Sequence, residues 1–452
     1  MSIGLKRNNI SNSDRYERIS LFVTGIFLGL AFSKGGNPVI FADKISPPSN
    51  FYEFIFQPYP FEWLYWFLGV VVLINLFKIK WSLAPRNIWA LLPLFWFVWQ
   101  IISSFNTVDS KLTSYTLLHF FACVLCYFIG FFRCKDFLSY SFDLYVGIFL
   151  GFLWVLGNGI EQHFGGLETI RQNYEQSLQS FPPEQRLLLD TYEFRVKIMS
   201  NRIFSTFVYP NAFAGGLLLL APAIFYLLYR INGSWRLVLK SLSYVVLGLS
   251  LLCLYWSGSK AGLIIIALTI ILLLFKGWGL PKKYKVFISL VVIILVGCVF
   301  GIKYANYFQR GAKSLGARFD YWKAAAEITV KHPLSGTGPG TFSISYRSIK
   351  KPESEMAKLA HNDYIQQASD SGIPGMLLYT GFVIWVLNCG FRTGFQHKEL
   401  LPIFIGLFAY NVHSFFEFHL YIPALAYFAF TLSGVLASFY CNNEINKPGK
   451  II

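Results

Sequence analysis

Charge is scarce in this 452-residue chain. Only 14% of its residues are Asp, Glu, Lys or Arg, against about 25% in a soluble domain. Acid is scarcer still, with 23 Asp and Glu against 39 Lys and Arg. The seven cysteines form no CxxC…CxxC pattern, and the long polar intervals contain none of them. Cys123, Cys126, Cys253, Cys298 and Cys389 lie in or beside apolar runs. A disulfide framework and a cysteine metal site are thereby excluded. The polar intervals also lack HExxH, Asp-x-Asp and any Cys/His cluster, so no catalytic metal or other cofactor is indicated. There is no Gly-x-Ser-x-Gly elbow, no carboxylate pair of the glycoside-hydrolase kind, no internal repeat and no low-complexity tract.

What the chain does have is apolar length. It is 55% hydrophobic and 19% aromatic, and its apolar runs recur at the ~20-residue length that spans a bilayer. This predicts an all-α polytopic membrane protein. About twelve spans are expected, near 19–32, 61–77, 88–105, 112–132, 137–157, 207–229, 238–256, 259–275, 284–302, 373–391, 400–417 and 421–440. The first run lacks an A-x-A-like cleavage site and reads as a retained helix.

Cations in the short connections set the orientation. One alternate set holds Lys6, Arg7, Arg15, Arg18, Lys78, Lys80, Arg86, Arg133, Lys135, Arg230, Arg236, Lys240, Lys276, Lys282, Lys283, Lys285, Arg392, Lys398, Lys447 and Lys450. The other holds only Lys34, Lys44, Lys111 and Lys260. The bias predicts cytoplasmic termini. It also divides the chain into N-terminal membrane helices (1–157), a first long outer loop (158–206), central membrane helices (207–302), a second long outer loop (303–372) and C-terminal membrane helices (373–452). A net charge of +16 then belongs to membrane anchoring and a cationic outer surface, not to nucleic acid. In the first loop, Phe181-Pro182-Pro183 suits a helix start. In the second, Phe319, Trp322, Ala326 and Val330 recur at helical spacing, and Lys331-His332-Pro333 marks the helix end.

Long loops of this kind carry function. His361-Asn362 stands where the second loop re-enters the membrane, and the imidazole there either takes a proton near neutral pH or bonds the backbone at a helix terminus. Arg318 heads the amphipathic helix, placed to clamp a phosphate bidentately or to solvate a surface. Lys260, in Trp256-Ser-Gly-Ser-Lys-Ala-Gly262, sits at the outer boundary, where a cation has a partner or a task unless it snorkels to headgroups. Arg195, Lys197 and Arg202 precede Tyr209-Pro210-Asn211 and would hold an anion or solvate a helix. Gly336-Thr-Gly-Pro-Gly340 offers backbone N–H groups to a phosphate but lacks a P-loop's Lys-Ser/Thr, so an ordinary turn is the simpler reading. His413 and Glu417 are spaced i, i+4 and read as a buried polar pair. Cations and one imidazole thus gather on one side, which suits a diphosphate reached from the membrane.

These stretches resemble the O-antigen ligase and polymerase superfamily, membrane glycosyltransferases that use polyprenyl-diphosphate sugars. Arg202 to Gly215 is similar to that family's Arg…Asn-Pro-Asn stretch at the head of a span. Ser257-Gly-Ser-Lys-Ala-Gly262 resembles its Ser-Arg-Gly/Ala segment, with Lys260 in place of the arginine. Arg318 to Phe342 resembles Arg-x-x-x-Trp/Leu followed by Pro-Leu-x-Gly-x-Gly-x-x-x-Phe. His361 to Gly372 fits the family's His-to-Gly spacing, with Asp370 before the glycine, and His413-Ser-Phe-Phe-Glu-Phe is also family-like.

The resemblance implies a GT-C-like fold in a bacterial inner membrane. It implies a metal-independent, inverting transfer of a glycan from undecaprenyl diphosphate to a lipid A-core acceptor on the periplasmic face. His361 would act on the acceptor hydroxyl, Arg318 and Lys260 on the diphosphate, and Arg202, Asn211, Asn362 and Arg195 in substrate binding. A polymerase or a protein O-oligosaccharyltransferase shares this donor chemistry and differs in acceptor. A lipid-linked glycan transporter would instead show charges along a central path and inverted repeats.

Overall fold

The computed structural model describes residues 12–76, 87–180, 182, 195, 198–277, 279–309, 313–352 and 354–445. The expected helix after Phe181, and Lys6, Arg7, Lys78, Lys80, Arg86, Lys197, Lys447 and Lys450, fall outside those residues. The described chain is helical, with no strand among the described residues. In chain order the helices are α1 (Asn12–Lys34), α2 (Phe51–Phe56), α3 (Phe61–Leu76), α4 (Leu92–Ser104), α5 (Ser110–Phe132), α6 (Cys134–Ser139), α7 (Phe142–Glu161) and α8 (Leu167–Ser180). There follow α9 (Pro210–Arg230), α10 (Arg236–Trp256), α11 (Lys260–Gly277), α12 (Lys282–Gln309), α13 (Lys313–Lys331), α14 (Phe342–Ile349), α15 (Asp363–Gly394), α16 (Leu401–His413) and α17 (Pro423–Ile445).

The expected spans overlap these helices, with 137–157 divided between α6 and α7 at Tyr140, and among the described residues eight helices are long and apolar enough to cross a membrane. The chain is an all-α, multi-pass membrane protein. Several boundaries differ from expectation, among them the end of α16 at His413 and not near 417. Helix α7 does not stop near 157 but continues through a kink at Phe164–Gly165 into polar α8. Helix α12 runs past 302 to Gln309.

Helix α17 is the axis of the bundle. It is almost wholly buried, packing against α5 and α1, while α12 is almost wholly exposed. In lipid, helices associate through close van der Waals packing of small residues. Gly25 and Gly29 of α1 face Gly147 and Gly151 of α7, and a Cβ at Gly25 would overlap the Leu144 carbonyl. Both helices therefore carry the Gly-x-x-x-Gly spacing that lets backbones touch.

Two further features place the site. The amphipathic α13 buries Tyr321, Ala324, Ala325 and Ile328 against Phe342, Tyr346, Ala357 and Ala360. The stripe read from sequence is on the other side: Phe319, Ala326 and Val330 are exposed and Trp322 is half-buried. Beside a bilayer, exposure of apolar groups carries little cost, so apolarity alone does not mark the packed face.

Helix α15 is broken at Ser371–Gly372, where Gly372 has φ +73° and ψ 180°. The 333–340 turn docks into that break. Pro333 O accepts from Ile373 N (2.8 Å), Gly338 N donates to Asp370 O (2.9 Å), and Gly340 N donates to Asp370 Oδ2 (2.8 Å). Thr337 N donates to Ser369 O (3.1 Å). Thr337, Gly338 and Gly340 thus spend their N–H groups on α15, while Gly336 N donates to His332 O (3.0 Å), which is the ordinary-turn reading with a partner supplied. Tyr421 and Gln366 complete the partners of Asp370 Oδ2.

A Cβ at residue 372 would overlap the Leu334 carbonyl, in a φ region that L residues avoid. Gly372→Ala is expected to destabilise the detergent-extracted protein by at least about 1–3 kcal/mol. An unchanged melting temperature would show that the break in α15 is not held by this contact.

Candidate active site

The site is assembled around a carboxylate, Glu417, in the segment between α16 and α17. That segment is pinned by the first turn of α15. Asp363 N donates to Ser414 O (2.9 Å), and Asp363 Oδ2 accepts from Leu420 N (3.0 Å). Asn362 caps the same helix, its Oδ1 accepting from Tyr364 N (3.0 Å) and Ile365 N (3.1 Å), the usual task of Asn at that position. Its carboxamide oxygen is therefore spent on the backbone, and the residue is buried. Asn362, expected among the substrate contacts, caps α15 through its oxygen.

Glu417, 2% exposed, binds three groups from distant parts of the chain. Arg318 Nη2 donates to Oε1 (2.6 Å), Asn211 Nδ2 donates to Oε1 (2.5 Å) and His361 Nδ1 donates to Oε2 (3.2 Å). Asn211 in turn accepts from Arg202 Nη2 (2.6 Å) through its Oδ1. Burial raises the carboxyl, but His361 and Arg318 beside it outweigh that and hold it far below the usual carboxylate range.

Arg318 also donates to the carbonyls of Phe416 and Ser314. Three of a guanidinium's five donors are thereby used. His361 is held at φ +52°, a conformation uncommon for a non-glycine residue. Its ring lies between Tyr321 (5.9 Å) and Phe418 (4.6 Å). Nδ1 is the ring nitrogen turned to Glu417.

The Trp256–Gly262 turn brings up the next cations. Arg202 Nε donates to Ser257 O (2.7 Å), and Gly258, at φ +64°, lets that side chain lie across the turn. Lys260 Nζ stands 4.8 Å above the Tyr304 ring, with Arg202, Arg318 and Lys303 close enough to act on its charge. The structure thus brings Arg202, Asn211, Lys260, Arg318 and His361 together. Arg195 is exposed and is not among the groups that contact Glu417.

The expected His413–Glu417 pair does not form a hydrogen bond, because α16 ends at His413 and the i, i+4 geometry is lost. His413 Nε2 instead meets Ser259 Oγ (3.2 Å), and His413 Nδ1 meets His419 Nε2 (3.1 Å). Burial and the neighbouring His413 keep His419 neutral, its pKa pushed well down.

Sequence reasoning missed Glu417 as the hub and passed over Lys303. The available signal for both was an ionisable residue at the end of an apolar run, which by default has a partner.

The family described as O-antigen ligase matches residues 245–380. That stretch, about a third of the chain, is similar to the O-antigen ligase family. The match takes in Lys260, Lys303, Arg318 and His361, while Arg202, Asn211 and Glu417 lie outside it. No curated protein matches the chain.

Because its folded pKa is depressed, the Glu417 carboxylate stabilises the fold above the ordinary carboxylate range. That contribution fades only as pH falls through the depressed value. Glu417→Ala leaves Arg318 and Asn211 without this partner and is expected to cost about 3–5 kcal/mol. The loss in melting temperature should be similar at about pH 7 and about pH 5.5. A loss that vanished at the lower pH would mean the carboxyl already protonates there.

Proposed function

We propose that the protein transfers a preassembled glycan from undecaprenyl diphosphate to a lipid A-core acceptor. The reaction would take place on the periplasmic face of a bacterial inner membrane, with both termini in the cytoplasm. The observation that carries this reading is one buried carboxylate, Glu417, holding both an imidazole and a guanidinium, with further cations gathered beside them.

In this scheme the acceptor hydroxyl oxygen attacks the anomeric carbon from the side opposite the diphosphate. The new C–O bond forms as the bond to the phosphate oxygen breaks, so the configuration inverts. The electron pair leaves on the polyprenyl diphosphate, and the hydroxyl proton passes to His361 Nε2. Glu417 stabilises the resulting imidazolium and keeps the ring turned. Arg318, Lys260 and Arg202 meet the charge that grows on the leaving diphosphate, where each such interaction is worth most. The donor is already activated and the charges come from side chains, so the scheme uses no metal or nucleotide. Arg195 would contact the glycan or headgroup farther out on the first loop.

His361→Ala is expected to lower transfer by about 10²–10⁴-fold while protein level and lipid-linked donor stay intact. Lys260→Arg should keep most activity and Lys260→Ala should not. Surface glycans of a deletion strain separate the acceptors. Uncapped lipid core supports the ligase reading, shortened chains would point to a polymerase, and unglycosylated protein to a protein-directed transferase. Normal transfer by His361→Ala would remove the imidazole from the mechanism.

A further inference from the structure

We infer that Lys303 and Tyr304, near the end of α12, are diphosphate ligands that complete the cationic side of the site. This rests on the lipid-diphosphate reading above. The Tyr304 side chain is 6% exposed, and its hydroxyl is buried with no hydrogen-bond partner. An unmet buried hydroxyl costs about 1–3 kcal/mol, so it needs a reason. Its surroundings supply one. Lys260 Nζ lies 4.8 Å and Lys303 Nζ 5.9 Å from the Tyr304 ring centroid, and Arg202 acts electrostatically on Lys260, Lys303 and Tyr304. A hydroxyl donor without an acceptor, set among three cations, is complementary to phosphate oxygens.

Lys303 is parked and not locked. Its Nζ sits 3.3 Å from the Tyr255 ring centroid and donates to the Tyr255 carbonyl. It is half-buried, so a small rotation of its stem carries the ammonium from the aromatic face to an anion. The supporting helices also set the direction of approach. Tyr255 closes α10, Lys260 opens α11, and α12 is exposed along nearly all of its apolar length. A diphosphate that meets Lys303 and Tyr304 therefore arrives with its lipid chain along α12. The other reading has Lys303 merely snorkelling and water serving Tyr304.

Full-length protein in detergent, with undecaprenyl diphosphate as the probe and inorganic pyrophosphate as competitor, separates these readings. Tyr304→Phe keeps the ring and both lysine contacts, so unliganded melting should not fall. Its affinity for the lipid should drop about tenfold or more, the worth of a hydrogen bond to a charged group. Lys303→Met should weaken binding similarly, Lys303→Arg should restore it, and pyrophosphate should compete with the lipid. Wild-type affinity in both Tyr304→Phe and Lys303→Met would overturn this inference alone, as would failure of pyrophosphate to compete. If the wild-type protein did not bind undecaprenyl diphosphate, the donor reading would fall with it.

Discussion

A carboxylate taken out of water has to be met by charge or by donors, and Glu417 is met by both. Its two oxygens accept from Arg318, Asn211 and His361, so one desolvated group fixes the relative positions of α9, α13, the turn before α15 and its own segment. Buried ion pairs contribute little net stability against an apolar alternative, but removing one partner is costly. What Glu417 supplies is therefore geometry. It holds the imidazole by Nδ1, and it holds Arg318 by one corner while leaving donors for an anion. Asp363 does the same service one step back. It ties both ends of the Glu417 segment to the first turn of α15.

The route by which the anion is met follows from where the backbone donors have gone. A glycine-rich turn beside a helix break would ordinarily be a phosphate cradle. Here the N–H groups of Thr337, Gly338 and Gly340 are bonded to Ser369, to the Asp370 carbonyl and to the Asp370 carboxylate. Helix α15 starts under the Asn362 cap, whose oxygen already serves two of its first N–H groups. The turn and the helix start are structural, and in the proposed scheme binding of a diphosphate falls to side chains. That is why the cations are so many, and why they come from α11, α12, α13 and the stretch before α9.

The fold was legible because lipid imposes a simple rule. A span needs about twenty apolar residues with its backbone bonds satisfied internally, and the expected runs are helical, one of them divided between α6 and α7. The end of α13 at Lys331 was legible too, from cations and a following proline. Its packed face was not. Exposed Phe319 and Val330 are as apolar as the buried residues, and only the partners Phe342 and Tyr346 say which side is covered. Glu417 was illegible for a different reason. Its partners lie 56, 99 and 206 residues away in sequence, and the nearby His413, which invited a local pairing, bonds Ser259 and His419 instead. Local spacing reports helices; it does not report which helices meet.

Gathering like charges has an energetic consequence for the chemistry. Arg202, Lys303 and Arg318 each act on Lys260, so the unliganded site carries mutual repulsion at a boundary where charges are weakly screened. Any anion that enters relieves some of it, and the relief grows with the charge delivered. In a lipid-linked donor part of that charge is tied up in the glycosidic ester; once that bond breaks, the full charge sits on the diphosphate. A cluster of this kind therefore favours the departing group over the bound donor, which is the condition for lowering a barrier and not merely tightening a complex. The same reasoning accounts for the one acid in the site. Glu417 is paired to the imidazole that would become positive in the proposed transfer. In that scheme its charge would assist the proton transfer instead of cancelling the field offered to a diphosphate.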